Sequence, residues 1–157
     1  MRNKYLQRFM AVSHNADGIT APFNTLFLCE DKDTAHKDIL EFEYLYRLKF
    51  SDEKVLRISG NDFVTSVIGS AMCGNSAEFK KSFRNLNLLI FEDVEEISGK
   101  QACMEAAYII VDYLLENHRC MVFTSDYLPC ELHALENRNR TQFEGCPIHD
   151  LRESKEF

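Results

Sequence analysis

Three segments of this chain are apolar almost without a break: TLFLC at Thr25–Cys29, LNLLIF at residues 86–91, and CMVFTS at Cys120–Ser125. A strand that faces water on one side alternates polar and apolar residues. A strand buried on both sides does not, and such strands belong to parallel sheets covered by helices. The stretches between them carry apolar residues at helical spacing, as in Ile39, Phe42, Leu45, Tyr46 and Phe50. This alternation predicts an α/β fold with three layers, helices on both faces of a parallel sheet.

Strands over 54–59 (KVLRIS) and 146–148 bring the expected sheet to five. The first predicted helix follows Cys29, with Asp33 or Thr34 as its N-cap. The next is capped by Asn61, carries Phe63, Val64, Val67, Ile68 and Met72, and is broken by Gly74 and Asn75. Further helices are expected over 76–83 and 98–117, with short ones over 128–135 and 136–143. A length of 157 residues fits one domain, 1–157, of which 1–22 form an N-terminal segment. In that segment Leu6, Phe9 and Met10 suit the inner side of a terminal helix.

The six cysteines form no C-x-x-C pair and no zinc-finger spacing, so they read as small buried hydrophobes in a reducing compartment. No apolar run reaches the ~20 residues of a membrane span, and MRNKYLQRFM has no signal-peptide core. A cytoplasmic protein without a membrane partner is expected. A net charge of −7 argues against a dedicated nucleic-acid binder. Two local basic clusters remain, Lys80, Lys81 and Arg84, and Arg138 with Arg140.

Parallel sheets bind ligands beyond the C-terminal ends of their strands. Glu30, Glu92, Asp93, Ser125 and Asp126 all fall there. The strand–loop–helix at 25–40 stands where a phosphate loop, G-x-x-x-x-G-K-[ST], would be found. Its eight positions are 30–37. Glu30 and Ala35 replace the glycines whose backbone would wrap phosphate; His36 and Lys37 replace the lysine and the hydroxyl residue. Glu30, Asp31 and Asp33 are acidic, and a carboxylate ~4 Å from a phosphate charge costs ~4 kcal/mol at an effective dielectric of ~20. Lys37 is rotated by ~100° from the position of His36. The acids either face water or bind a cation in place of phosphate. Glu92-Asp93 after an apolar strand has the form of a Walker B pair. Thr124-Ser125-Asp126 reads either as a γ-phosphate sensor or as a helix N-cap.

Taken together, these segments resemble the AAA+ core of the bacterial replication initiator family, DnaA and its shorter relative Hda, over about residues 23–151. The family's "YNPLFIYG" is similar to PFNTLFLCE. Its "YRNVDVLLIDDIQFLAGK" is similar to FRNLNLLIFEDVEEISGK at 83–100, and its "SSDRPPKEL…LEDRLRSRF" to TSDYLPCELHALENRNRTQF at 124–143. The resemblance implies a P-loop NTPase-like fold, with residues 61–84 as the family's insertion helices. It also implies that Glu92 replaces the first Walker B acid, that Asp93 is retained, that the arginine finger falls on Gln142, and that Arg138 is retained. The family's helical lid and helix-turn-helix follow the fifth strand and are expected to be missing here. A sliding-clamp peptide of the family is weakly similar to Gln7-Arg8-Phe9-Met10, an alternative to the terminal helix.

Lost glycines, a lost lysine and a lost arginine finger together predict no enzyme, no catalytic residue, no metal and no cofactor. The function expected from the resemblance is a catalytically inactive module. It would act by protein–protein contact with the initiator, a replicative helicase or a helicase loader, or in a head-to-tail homo-oligomer. Two alternatives stay open. One is single-stranded DNA binding through the insertion helices, with Arg57, Lys80, Lys81 and Arg84 on phosphates. The other is residual ATP or ADP binding, with Lys32 or Lys37 displaced into the site.

Overall fold

A computed structural model describes residues 1–12 and 24–152. His14, the rest of 13–22, and Phe23 at the start of the family-like run lie outside the described residues. Five strands, β1 (Thr25–Cys29), β2 (Val55–Ser59), β3 (Leu88–Glu92), β4 (Cys120–Ser125) and β5 (Ile148–Asp150), form one sheet in the order β2-β3-β4-β1-β5. All four pairings are parallel. The three apolar runs are its inner strands, every residue of which is buried. The two strands with the weaker signal are its edges.

Among the described residues the helices are α1 (Lys4–Val12), α2 (Lys32–Lys49), α3 (Gly60–Met72), α4 (Ser76–Ser82), α5 (Gln101–Glu116) and α6 (Asn137–Glu144). The period of two along each strand divides the core. Leu26, Leu28, Leu88, Ile90 and Val122 face α1 and α2, where they meet Leu6, Phe9, Ile39, Phe42 and Tyr46. Phe27, Phe91 and Phe123 face the other way, against Phe63 of α3, Phe143 of α6 and the inner side of α5. There Phe143 lies 4.9 Å from Phe123 and 5.5 Å from Phe27, centroid to centroid. The terminal helix buries Leu6, Phe9 and Met10. Residues 7–10 are therefore one turn of a packed helix and not a free clamp-binding peptide.

Several boundaries move for local reasons. Asp31 caps α2, its carboxylate accepting from the Thr34 N–H at 3.3 Å, so the cap is neither Asp33 nor Thr34. Ser59 caps α3 in place of Asn61. The α5 helix begins at Gln101 because Gly99 takes a left-handed φ of 75°. A 3-10 turn at Phe83–Asn85 delays β3 to Leu88. Of 128–135 only Pro129–Glu131 is helical, again as a 3-10 turn. The Pro147 carbonyl accepts from the Phe27 N–H, and the fifth strand forms one residue later, from Ile148. Cys29, Cys103, Cys120 and Cys146 are buried as expected, but Cys73 and Cys130 are exposed. Among the described residues no helix is long and apolar enough to cross a membrane.

Candidate functional site

The parallel register brings Cys29, Ser125 and Glu92 to one edge of the sheet, because β1, β4 and β3 are neighbours. The segments that leave those strand ends build the site. After β1 only Glu30 and Asp31 precede α2, whose first residue is Lys32. Positions 32–37, which in a phosphate loop include most of the open curve, are helix here. Asp31 starts the helix: its side chain accepts from the Thr34 N–H and its carbonyl from the Ala35 N–H, the first intrahelical bond. Asp31 and Asp33 add negative charge to the positive end of the helix dipole. Ala35 is buried in the core, and Asp33 and Lys37 are exposed.

Basic side chains meet the acids at the end of β3. Lys32 Nζ lies 3.7 Å from Asp93 Oδ2 and 3.7 Å from Glu96 Oε2. His36 Nδ1 lies 2.7 Å from Glu92 Oε2. Arg57, in the middle of β2, donates to Glu92 Oε1 at 3.1 Å and to Glu43 Oε1 of α2 at 2.7 Å. Arg47 holds the other oxygen of Glu43 at 2.9 Å. The Glu92 side chain is 4% exposed, and each of its oxygens has one of these two partners.

Asp93 sits in the left-handed region, φ 56°, where its short polar side chain is tolerated. Its N–H donates to Thr124 Oγ1 at 3.1 Å, which ties β3 to β4. Burial, opposed by Lys32 and reinforced by Glu95, Glu96 and Glu92, pushes the Asp93 carboxyl up to about 6. Lys32 is raised by Asp93 first and Glu96 second, which favours its charged form. Gly60 packs directly on this turn: a Cβ there would lie 2.4 Å from the Asp93 carbonyl oxygen and 2.7 Å from Glu96 Cβ. Gly60→Ala is expected to cost about 1–2 kcal/mol through overpacking against backbone, measurable by urea unfolding.

Glu30 turns away from these residues. Its N–H donates to the Ser125 carbonyl at 3.0 Å, while its side chain is buried beside Asp38. Asp38 is met by Arg2 at 3.1 Å and Asn3 at 3.2 Å, so the N-terminal segment closes over it. Glu30 Oε2 has no hydrogen-bond partner. Burial first, then Asp38, raises the Glu30 carboxyl to about 7.

The remaining predicted residues scatter. Ser125 Oγ accepts from the Tyr127 N–H at 3.0 Å, so it shapes a turn and caps no helix. Asp126 is half-buried next to Glu95. Arg57 belongs to the strand-end network and not with Lys80, Lys81 and Arg84, which lie on α4 and the 3-10 turn after it. Lys81 and Arg84 are exposed, and Arg84 lies over the Tyr113 ring at 5.0 Å. On α6, Gln142 points inward, donating to the Tyr108 carbonyl at 3.0 Å, and Arg138 lies 4.6 Å over the Tyr108 ring. Arg140 donates to Asn137. Among the described residues no group of three or more His, Cys, Asp or Glu side chains is arranged to hold a metal ion. Sequence reading missed Glu96, Glu43 and Asp38. Four acids in the five positions from Glu92 to Glu96, and an arginine in the middle of a strand, were the available signals.

A parallel sheet in this order, with a strand-to-helix turn after β1 and paired acids after β3, defines a P-loop NTPase-like AAA+ module. The chain belongs to the family described as the bacterial DnaA ATPase domain, whose pattern matches residues 6–149. It is 28% identical over 151 residues to the chromosomal replication initiator protein DnaA 1 of Chlamydia pneumoniae, covering 94% of this chain and 32% of that protein. The chain thus spans about a third of the length of that curated relative. A structure of replication initiator DnaA bound to AMPPCP and single-stranded DNA superposes with a TM-score of 0.82 at 19% identity, over 96% of this chain and 45% of the other. The DnaC helicase loader gives 0.71 at 13% identity, over 95% and 89%.

Proposed function

We propose that this module does not hydrolyse ATP and acts by protein contact in replication initiation or its regulation. The observation that carries the reading is the set of ion pairs at the strand ends. Lys32, His36 and Arg57 satisfy Asp93, Glu96 and Glu92, which a magnesium triphosphate would need free. The backbone N–H groups that would hold phosphate are inside a helix whose start is capped by the Asp31 carboxylate. Inward-turned Gln142 offers no cation to a neighbouring subunit. The partners that fit the family are the initiator, a replicative helicase or a helicase loader, all cytoplasmic.

Isothermal calorimetry with Mg-ATP and Mg-ADP is expected to detect no binding tighter than ~0.1 mM. Tighter binding would overturn the reading and favour residual nucleotide binding, with Lys32 as the displaced cation. Capture by the immobilised chain of initiator, helicase or loader from its own cell extract is the positive test. A second reading has one observation in its favour, the exposure of Lys81 and Arg84 on adjacent turns of the insertion helices. If they bind single-stranded DNA, labelled oligonucleotides will show affinity that falls steeply with salt.

A further inference from the structure

A cavity of about 280 Å³ is lined by residues 2–5, Glu30, Asp38 of α2 and Leu151, which follows β5. That volume is near the lower end of the range for small-molecule sites. Its walls are held by contacts already formed. Asn3 Oδ1 accepts from the Tyr5 and Leu6 N–H groups at 3.0 Å, and the Tyr5 ring stacks on His149 with centroids 3.8 Å apart. The Leu151 N–H donates to the Cys29 carbonyl at 2.7 Å. Glu30 and Asp38 are 8% and 5% exposed, and they differ in one respect. Asp38 is satisfied on both oxygens, by Arg2 on Oδ1 and by Asn3 on Oδ2. Glu30 Oε2 has no donor among the described residues. A buried carboxylate without a donor costs stability, and in a native structure it calls for a reason. Its place on the wall of a cavity supplies one.

We propose that this cavity binds a small guanidinium compound, whose N–H groups donate to the Glu30 carboxylate. The donor set selects this class. Two carboxylates against one paired arginine leave a single negative charge over, which disfavours anions and matches a monocation. A divalent metal ion needs several free oxygens, and both Asp38 oxygens are in use. A guanidinium keeps its charge and donates in a planar fork that fits a carboxylate. Lys4, also on the wall, is exposed and lies over the Tyr5 ring at 5.2 Å. Arg2 and Lys4 oppose a basic protein surface more than one small cation, so the fork belongs to a free compound. The inference does not rest on the state of the nucleotide site. Mg-ATP and the guanidinium are titrated separately, so either reading can fail without the other.

Binding here is linked to a proton. Burial first and Asp38 second raise Glu30 to about 7; Asp31 adds to this and Arg2 opposes it. Lys4 and Tyr5 are the other titratable groups on the wall. Asp150 and Arg152, on either side of Leu151, neutralise one another at 2.8 Å. Below about 7 the ligand must send the Glu30 proton to solvent, and above it the carboxylate is already charged. Affinity should therefore rise ~10-fold from pH 6 to pH 8.

Titration of the full chain with methylguanidinium at constant ionic strength, followed by amide nuclear magnetic resonance shifts, is expected to saturate with a Kd of ~1–10 mM at pH 8. The shifts should centre on Asn3, Glu30 and Leu151. N-Methylurea has the shape without the charge, and tetramethylammonium has the charge without N–H groups. Both should bind at least ~10-fold more weakly. Glu30→Gln should weaken binding at least ~10-fold and remove its pH dependence. Asp33→Asn, at an exposed acid in the first turn of α2, should leave binding unchanged. Absence of saturation, indifference to Glu30→Gln, an equal loss in Asp33→Asn, or equal binding of N-methylurea would overturn the proposal. A blocked Gly-Arg-Gly peptide that binds more tightly than methylguanidinium would overturn the free compound in favour of an arginine side chain.

Discussion

Arg57→Met is expected to lower the unfolding midpoint of this chain by about 6–12 °C near pH 7, corresponding to about 3 kcal/mol. The change keeps the length and apolar stem of the side chain and removes its charge. Glu92 then loses the donor at 3.1 Å and Glu43 the one at 2.7 Å. Glu43 lies near the surface and still has Arg47; Glu92 is 4% exposed and keeps only His36. Most of the loss therefore comes from one carboxylate stranded in the interior, since breaking a buried pair costs more than the pair contributes. Adding Glu92→Leu should recover most of the loss, because an apolar residue in that place needs no counter-ion. Thermal unfolding of the two single variants and the double variant gives the coupling directly. A double variant no more stable than Arg57→Met would show that Glu92 is not what Arg57 supports.

Glu30→Gln is expected to stabilise the protein by about 2–3 kcal/mol above pH 7.5 and by almost nothing below pH 4.5. Burial and Asp38 raise the Glu30 carboxyl from 4.5 to about 7, which by linkage is worth roughly 3 kcal/mol. The sign follows from proton counting. Between 4.5 and about 7 the folded chain holds a proton on Glu30 that the unfolded chain has released, so stability falls as pH rises through that window. Asp93, raised from 3.8 to about 6, acts in the same sense. Glu43 and Asp150 are lowered and act in the opposite sense, which makes the total curve uninformative. The difference between wild type and Glu30→Gln isolates the Glu30–Asp38 pair. Urea midpoints measured every half pH unit from 4.5 to 8 should diverge steadily and then run parallel above pH 7.5. Curves that stay parallel throughout would mean that Glu30 is already ionised at pH 5.

The sheet could be read from the chain because β1, β3 and β4 are apolar on both faces, and few other environments accept TLFLC, LLIFE and CMVFTS. The boundaries were less legible. Gly99, Pro147 and the cap at Asp31 act through backbone geometry that residue type only suggests. The residues of the site were also legible in part. Glu30, Glu92 and Asp93 follow strands and had to reach the strand ends. Their partners were not, since Arg57 lies on β2 and Lys32 and His36 on α2, and only the crossovers bring them to β3. Arg57 stood apart from Lys80, Lys81 and Arg84 only by lying in the middle of a strand, which does not say which acid it meets.

Sequence alone determined that this chain builds a parallel α/β sheet and that no glycine-rich loop follows its first strand, because strand burial and backbone freedom are properties of residue type in order. Only the tertiary structure decided what became of that loop. Its residues continue the α2 helix, and the acids opposite are neutralised by cations from two other elements. Glu30 is turned away from the strand-end acids and largely buried beside Asp38. Those outcomes depend on which side chains meet across the sheet, and contact at a distance along the chain is something that composition and spacing do not encode.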